Sequence, residues 1–526
     1  MKKQIRSGNT FPERMEKHAN ANWYDLSFNH KTTLTMGNLI PLMVKEVNPG
    51  ENIRLQCEVM MRFAGLYLPI MHQCYFTLDY YYATNRLLWP KSTVGDYNNG
   101  WEQFIKQDPI TGSVTWPYLT YSRANAVSTN GLLNYMGFNA PPSSGTLILS
   151  TEVGALPVNA YLKIYDEYYR NDQIQPTLWR PLLGGNNTTN ITDSLPGLQV
   201  LRRNWPRDYY TSATPTPQQG ENILIPSFAT DPTTGDYVKQ KLFRLDGTQP
   251  TNVGVGADAM GDFYATDGSS EVVLQLSSTI RDFRYAAQMT EYLERSMRAG
   301  DRYNDFIQRH FGWTPDPLYI DRPVWIGGYT GNVVISEVLA TAEIGAYSVG
   351  QYAGQALAMD QSPMFSYTAP DYGIVMGLFT VYPKASYYSG LEQMWTRRTK
   401  MDYMWEQFAL IGDQPIRNKE VWFSWYDADI EWNDEIFGYL PQYASWKYSN
   451  DIVSGQMRTL WESFHLGRKF TGAGEVVLNG EFITCTPDVG RVFQVDAEAG
   501  EHECYVHAYN KILIRRKLPE SGVPQL

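Results

Sequence analysis

Charge is scarce in this 526-residue sequence, cysteine is nearly absent, and no apolar run approaches the length of a membrane span. Each shortage excludes something. Four cysteines in so long a chain rule out a disulfide scaffold, and Cys57 and Cys74, placed in alternating apolar stretches, read as buried thiols. The amino terminus, Met1-Lys2-Lys3-Gln4-Ile5-Arg6, carries basic residues with no apolar run behind them, so it is not a signal peptide. A soluble chain kept in a reducing compartment is expected, where the Asn-x-Thr sequons at Asn186, Asn187 and Asn190 are simply a polar loop. Charged residues make up 19%, below the usual quarter, and the net charge is −11. That balance argues against a protein that coats nucleic acid over its whole surface. Any such contact is local, or belongs to a separate basic partner.

Catalytic signatures are missing too. There are no Walker glycines, no nucleophile elbow and no His-Glu-x-x-His. Gly254-Val255-Gly256 followed by Gly261 misses the dinucleotide spacing. The best metal candidates are His502, Cys504 and His507 with Cys485 upstream, but on a strand His507 faces away from His502 and Cys504. Acidic residues gather at Asp427, Asp429, Glu431, Asp434 and Glu435, among Trp425, Tyr426 and Trp432. Carboxylates between aromatics suit a glycosidase, and oxygen ligands suit calcium. The spacing fits no EF-hand, however, and charge runs are most often solvated. No catalytic residue and no cofactor is expected, structural calcium being an unsupported option. The alternative function is a carbohydrate-active or carbohydrate-binding β-sandwich.

What is abundant is aromatic: 14% of residues, with 37 Tyr and 15 Trp. Such rings offer large contact area at low entropic cost and suit protein–protein contacts, or else the core of a large β-rich enzyme. The length predicts two or more domains, or one domain with long insertions. Ile53 to Phe63 alternates apolar and polar residues and predicts a half-buried strand, with Pro49-Gly50 turning into it. A second strand carries Cys74, Phe76, Leu78, Tyr80 and Tyr82 on one face. A third carries Cys504, Val506, Ala508, Ile512 and Ile514, interrupted by Asn510. Val476 to Thr486 and Val492 to Val495 suggest two more. Helices are expected after Pro157, from Ile280 to Arg298 ending at Gly300, and after Asp301 as a cap. From Gly184 to about Ser278 the sequence turns rich in Gly, Thr, Asn, Asp and Pro and reads as neither helix nor strand.

A series of blocks is similar, in order, to one family. They include Trp23-Tyr24-Asp25-Leu26-Ser27, Met36-Gly37-Asn38-Leu39-Ile40-Pro41 and Pro69-Ile70-Met71-His72. Further along come Tyr80-Tyr81-Tyr82-Ala83-Thr84-Asn85-Arg86, Leu133-Asn134-Tyr135-Met136-Gly137, Arg203-Asn204-Trp205 and Asp208-Tyr209-Tyr210-Thr211. His310-Phe311-Gly312, Phe437-Gly438-Tyr439-Leu440-Pro441 and Phe464-His465-Leu466-Gly467-Arg468 complete the set. Together they cover nearly the whole chain, which resembles the gokushovirus-like Microviridae major capsid proteins. It departs from them in detail, for instance at Ala83-Thr84 and within the stretch from about Gly220 to Ser278.

The resemblance implies a mainly β fold: a single eight-stranded antiparallel jelly roll spanning residues 1–526, with very long loop insertions and a few short helices. It implies self-assembly into a T=1 icosahedral shell around circular single-stranded DNA, hence a virion protein assembled in the host bacterial cytoplasm. Implied partners are other copies of the chain, the packaged DNA, a small basic DNA-binding protein, a pilot or minor capsid protein and a host surface receptor. Residues 220–278 fall where the family carries a surface-exposed threefold protrusion. In such a shell the basic residues Lys2, Lys3, Arg6, Arg515, Arg516 and Lys517 are candidates to face DNA. The aromatic residues Tyr443, Trp446 and Tyr448 are candidates for subunit contacts.

Overall fold

The alternation from Ile53 to Phe63 forms β4 (Asn52–Phe63), in which every second side chain is buried. The computed structural model to which it belongs describes residues 21–91, 93, 99–108, 112–122, 131–138, 150–220, 254–257, 263–266, 271–272, 280–318, 321–339, 352–426, 430–496 and 500–518. Within them the chain is mainly β, with several antiparallel sheets and few helices. It divides into two units, Met1–Pro215 with Thr314–Leu526, and Thr216–Trp313.

In the first unit β4 pairs along its length with β18 (Cys504–Arg516), Cys504 lying opposite Phe63 and Arg515 opposite Asn52. The far edge of β18 takes β1 (Asn22–Asp25) and β2 (Phe28–Leu34). The far edge of β4 takes β13 (Tyr352–Gln361) and β14 (Phe365–Thr368), with β12 (Val334–Leu339) beyond β13. This seven-stranded sheet therefore joins the two ends of the chain. A second sheet runs β11 (Val324–Asn332), β5 (Cys74–Thr84), β15 (Gly373–Pro383) and β3 (Ile40–Val47).

The inner rows of the two sheets share one apolar core. Ile53, Leu55 and Val506 come from the first sheet, and Phe76, Leu78 and Phe379 from the second. Every residue of β15 is buried, because its opposite face is also covered. There Ile374, Met376 and Leu378 pack with Leu156, Tyr161 and Ile164 of the helix Leu156–Tyr168, which carries Pro157 in its first turn as its sequence predicts. The Tyr161 hydroxyl donates to the Leu39 carbonyl at 2.8 Å and accepts from the Leu201 N–H at 3.0 Å, so the buried phenol is satisfied. Asn510, the polar interruption on β18, has a structural reason. A bulge where β3 meets β15 leaves Leu42 out of register, and the Asn510 amide donates to the Leu42 carbonyl at 3.2 Å.

Smaller pieces surround this frame. β6 (Tyr118–Ser122) pairs with β7 (Ser150–Gly154), and β16 (Asp413–Arg417) with β17 (Ile436–Pro441). A separate aromatic cluster joins Tyr210, Tyr387, Phe437, Phe470 and Phe482 beneath the loops of residues 386–489. Thr216–Trp313 holds the helices Ile280–Ala299 and Tyr303–Phe311. It also holds a three-stranded sheet of β8 (Gly254–Ala257), β9 (Phe263–Thr266) and β10 (Glu271–Val272). Most of the expected insertion at residues 220–278 lies outside the described residues.

Four expectations are corrected. Val476 to Thr486 is a run of turns with a short helix, Gly480–Ile483, capped by the Asn479 side chain. Val492 to Val495 contributes only an isolated bridge between Leu66 and Phe493. Both stretches bury apolar residues, Phe482 and Val492 among them, but no neighbouring strand completes a ladder for either. Arg302, not Asp301, caps the helix Tyr303–Phe311. Inside the polar tract, Thr188–Ser194 is helical, held by hydrogen bonds that periodicity does not register. The four thiols are free and buried, and burial pushes those of Cys57 and Cys74 up to about 12.

Candidate assembly surface and nucleic-acid interface

Between residues 391 and 464 the chain makes a succession of single 3-10 turns, among them Gln393–Trp395, Glu406–Phe408 and Ala444–Trp446. Turns this short have no buried face of their own, and large apolar side chains are left outside. Leu410 is 97% exposed, Trp425 90% and Trp395 70%. The backbone beneath them is nonetheless tied down. The Trp405 indole N–H donates to the Lys400 carbonyl at 2.9 Å, its backbone N–H to the Tyr443 hydroxyl at 3.2 Å, and β16–β17 supplies a rigid base. Exposed apolar side chains gathered on a tied-down backbone form the kind of surface that suits a protein–protein contact.

The three aromatic candidates separate. Tyr443 is buried, holds a left-handed backbone at φ 61°, and its own N–H donates to Gln414 Oε1 at 3.0 Å. Tyr448 stacks on Tyr209 with ring centroids 4.8 Å apart. Trp446 remains 44% exposed, with the Arg397 guanidinium 3.9 Å from its ring centroid. Trp446 is thus the one of the three that offers a large free surface.

The basic candidates separate as well. Lys2, Lys3 and Arg6 lie outside the described residues. Arg516 forms an ion pair with Glu51 at 2.9 Å and donates to the Glu46 carbonyl at 3.0 Å, so its charge is spent on the fold. Arg515, opposite Trp23 on β1, and Lys517 point into solvent.

The residues weighed for chemistry are dispersed. Asp427 and Asp429 lie outside the described residues. Asp434 pairs with Lys419 at 2.5 Å and Arg417 at 3.6 Å, and the Lys419 hydrogen bond holds its carboxyl below the usual range. It faces cations rather than a second carboxylate, whereas glycoside hydrolysis needs two carboxyl groups across one cleft. Trp432 packs against Trp422, with ring centroids 5.6 Å apart. Cys504 sits in the main core, and Cys485 packs with Trp205 and Tyr382. His502 contacts the Thr33 hydroxyl at 2.8 Å and His507 contacts Asn29 at 3.1 Å. Among the described residues no three His, Cys, Asp or Glu side chains gather as a metal site.

One group that sequence reasoning passed over is Glu503. It precedes a strand and looks like an ordinary surface acid, yet its side chain is fully buried. Oε1 accepts the Met36 N–H, while burial raises the carboxyl to about 7. Only the packing of the Met36 turn over β18 reveals this.

Residues 15–526 match the family described as capsid protein (F protein). The capsid protein VP1 of Chlamydia phage 1 is 27% identical over 558 residues, covering 90% of each chain. That of Bdellovibrio phage phiMH2K is 26% identical over 88% of each chain. That of Spiroplasma virus 4 is 24% identical over 82% of this chain and 81% of its own. The match runs over nearly the full length, and the chain belongs to the capsid protein (F protein) family.

Proposed function

We propose that the chain is the repeating subunit of a T=1 icosahedral shell enclosing a circular single-stranded DNA genome, assembled in a bacterial cytoplasm. The observation that carries this reading is the apolar surface of residues 391–464, ordered and yet exposed in the single chain. Burying one of its large side chains against a neighbour is worth about 1.5–3 kcal/mol, so a few per contact suffice when every subunit repeats it. The full-length relatives carry the name capsid protein VP1 and are phage or viral proteins, which supports the same reading.

The frame is read as an eight-stranded antiparallel jelly roll. Two antiparallel sheets facing one core, with strands from both chain ends side by side, support it. Residues 220–278 are read as the surface insertion that meets a host receptor. Trp446 is assigned to a subunit contact, and Arg515 and Lys517 to the DNA side of the shell. The chain's net charge of −11 favours a small basic partner that neutralises most of the genome, with a pilot protein completing the particle. No catalytic role is assigned, because Asp434 is engaged by cations.

Negative-stain microscopy of phage-derived protein, combined with a nuclease-protection assay on the same fraction, tests the proposal. Uniform small icosahedral particles protecting single-stranded DNA are expected. Discrete monomers in the presence of the phage's accessory proteins would refute it.

A further inference from the structure

The seven-stranded sheet buries only one of its faces. Along β4 the residues turned away from the core include Arg54, Glu58, Met60 and Arg62. Along β18 they include Tyr505, His507, Lys511 and Arg515. The registers line these up in rows across the strands. Thr33, Tyr505, Arg62 and Leu357 form one row, and Lys31, His507, Met60 and Met359 the next. Trp23 lies beside Arg515 at the other end, where the Arg54 guanidinium sits 4.4 Å from the Trp23 ring centroid.

Two properties of this face stand against the rest of the molecule. Lys31, Arg54, Arg62, Lys511 and Arg515 face only two carboxylates, Asp25 and Glu58, in a chain whose net charge is −11. Among the described residues none of those five cations forms an ion pair, whereas Arg516, on the opposite side of the same strand, is held by Glu51. Positive charge that outnumbers its neighbouring carboxylates on an acidic protein calls for an anionic partner. The second property is the exposure of Trp23 and Tyr505 among the cations. Flat rings interleaved with basic side chains match a single strand, whose phosphates meet the cations while its unpaired bases stack on the rings. A double helix offers no free base faces to such rings.

We infer that the outward face of the seven-stranded sheet, from Lys31 and Tyr505 at one end to Trp23 and Arg515 at the other, binds single-stranded DNA without sequence preference. This rests on the reading of the chain as the shell of a single-stranded-DNA phage, and it assigns the packaged strand to one surface. Arg515 belongs to it as the end of a stripe rather than as part of a terminal cluster.

The test uses the full chain and a fluorescent oligothymidylate of about 20 nucleotides, with anisotropy read between about 50 and 200 mM salt. A combined Lys31→Gln, Arg62→Gln, Arg515→Gln variant is expected to lose roughly 10-fold or more in affinity and to flatten the salt slope by about 2. Tyr505→Leu is expected to lose roughly 5-fold or more with the slope unchanged, because stacking is not a counterion effect. Lys31→Arg, Arg62→Lys, Arg515→Lys should bind as the unaltered chain does, which separates charge from folding. Failure of the unaltered chain to bind the oligonucleotide overturns the inference, as does full binding by the triple Gln variant. So does a triple variant that keeps DNA binding but loses self-association in light scattering, since the face would then cover a second copy. Shells that protect no single-stranded DNA would instead defeat the underlying capsid reading.

Discussion

Glu503 is a carboxyl placed where a charge is costly. Its folded value of about 7 stands above the ordinary 4.5, so between those limits the folded chain binds more protons than the unfolded one. Stability contributed by this group is fully present below about pH 4.5 and declines as pH rises through about 7, by an amount on the order of 3 kcal/mol at most. Glu503→Gln keeps an acceptor for the Met36 N–H and removes the titration. The variant is expected to melt above the unaltered chain at pH 8 and close to it at pH 5; equal melting curves at both pH values would refute the assignment. Gly37 is constrained differently. Its φ is +90°, and a Cβ there would lie 2.2 Å from the Cys485 carbonyl oxygen. Gly37→Ala is therefore expected to cost about 2 kcal/mol or more in denaturant titration. Trp446→Ala removes a half-exposed ring lying under Arg397, so it should leave the melting temperature nearly unchanged while lowering the yield of particles. Intact assembly would return Trp446 to the surface of a single subunit.

At the scale of elements, the strands show what periodicity can and cannot report. β4 is legible because burial on one face imposes alternation, and the helix after Pro157 is legible because its apolar positions recur at helical spacing. β15 is not, since burial on both faces erases any alternation. Phe482 and Val492 mislead for the converse reason. They are apolar residues anchoring loops, and a loop anchor has no required partner strand. The turns of residues 391–464 expose what an isolated protein would bury. Replacing Trp395, Leu410 and Trp425 together by Ser is expected to leave β16–β17 and the melting transition intact. The same change should reduce assembly at least 10-fold in sedimentation, at about 1.5 kcal/mol or more per lost apolar contact. A variant that unfolds instead would place these residues in the stability of the subunit.

For the whole molecule, two sheets supply the rigid frame, and the surfaces grafted on it divide the work of a shell. The apolar tract is the proposed contact with neighbours, and the cationic, ring-bearing face the proposed contact with the genome. Exchange of residues 220–278 for a flexible Gly-Ser linker is expected to leave particle formation intact and to abolish adsorption to the host, read as particle count against infectivity. Loss of particles would mean that this segment holds the shell together rather than meeting a receptor.

Composition, alternation and the order of the recognisable blocks were enough to determine the class of protein and its strand-rich frame. Local burial writes itself into local sequence, and a full-length match preserves order. The acidic balance likewise limited any DNA contact to a local patch without saying where on the fold it would lie. Tertiary structure alone decided which side chains are free. It paired Arg516 with Glu51 and left Arg515 open, buried Tyr443 and exposed Trp446, and enclosed Glu503 beneath the Met36 turn. It also joined Lys31, Arg62 and Tyr505 into one surface, although the last lies more than four hundred positions beyond the other two. Pairing between distant strands sets these neighbours, and no local pattern in the chain encodes a contact with a residue so far away.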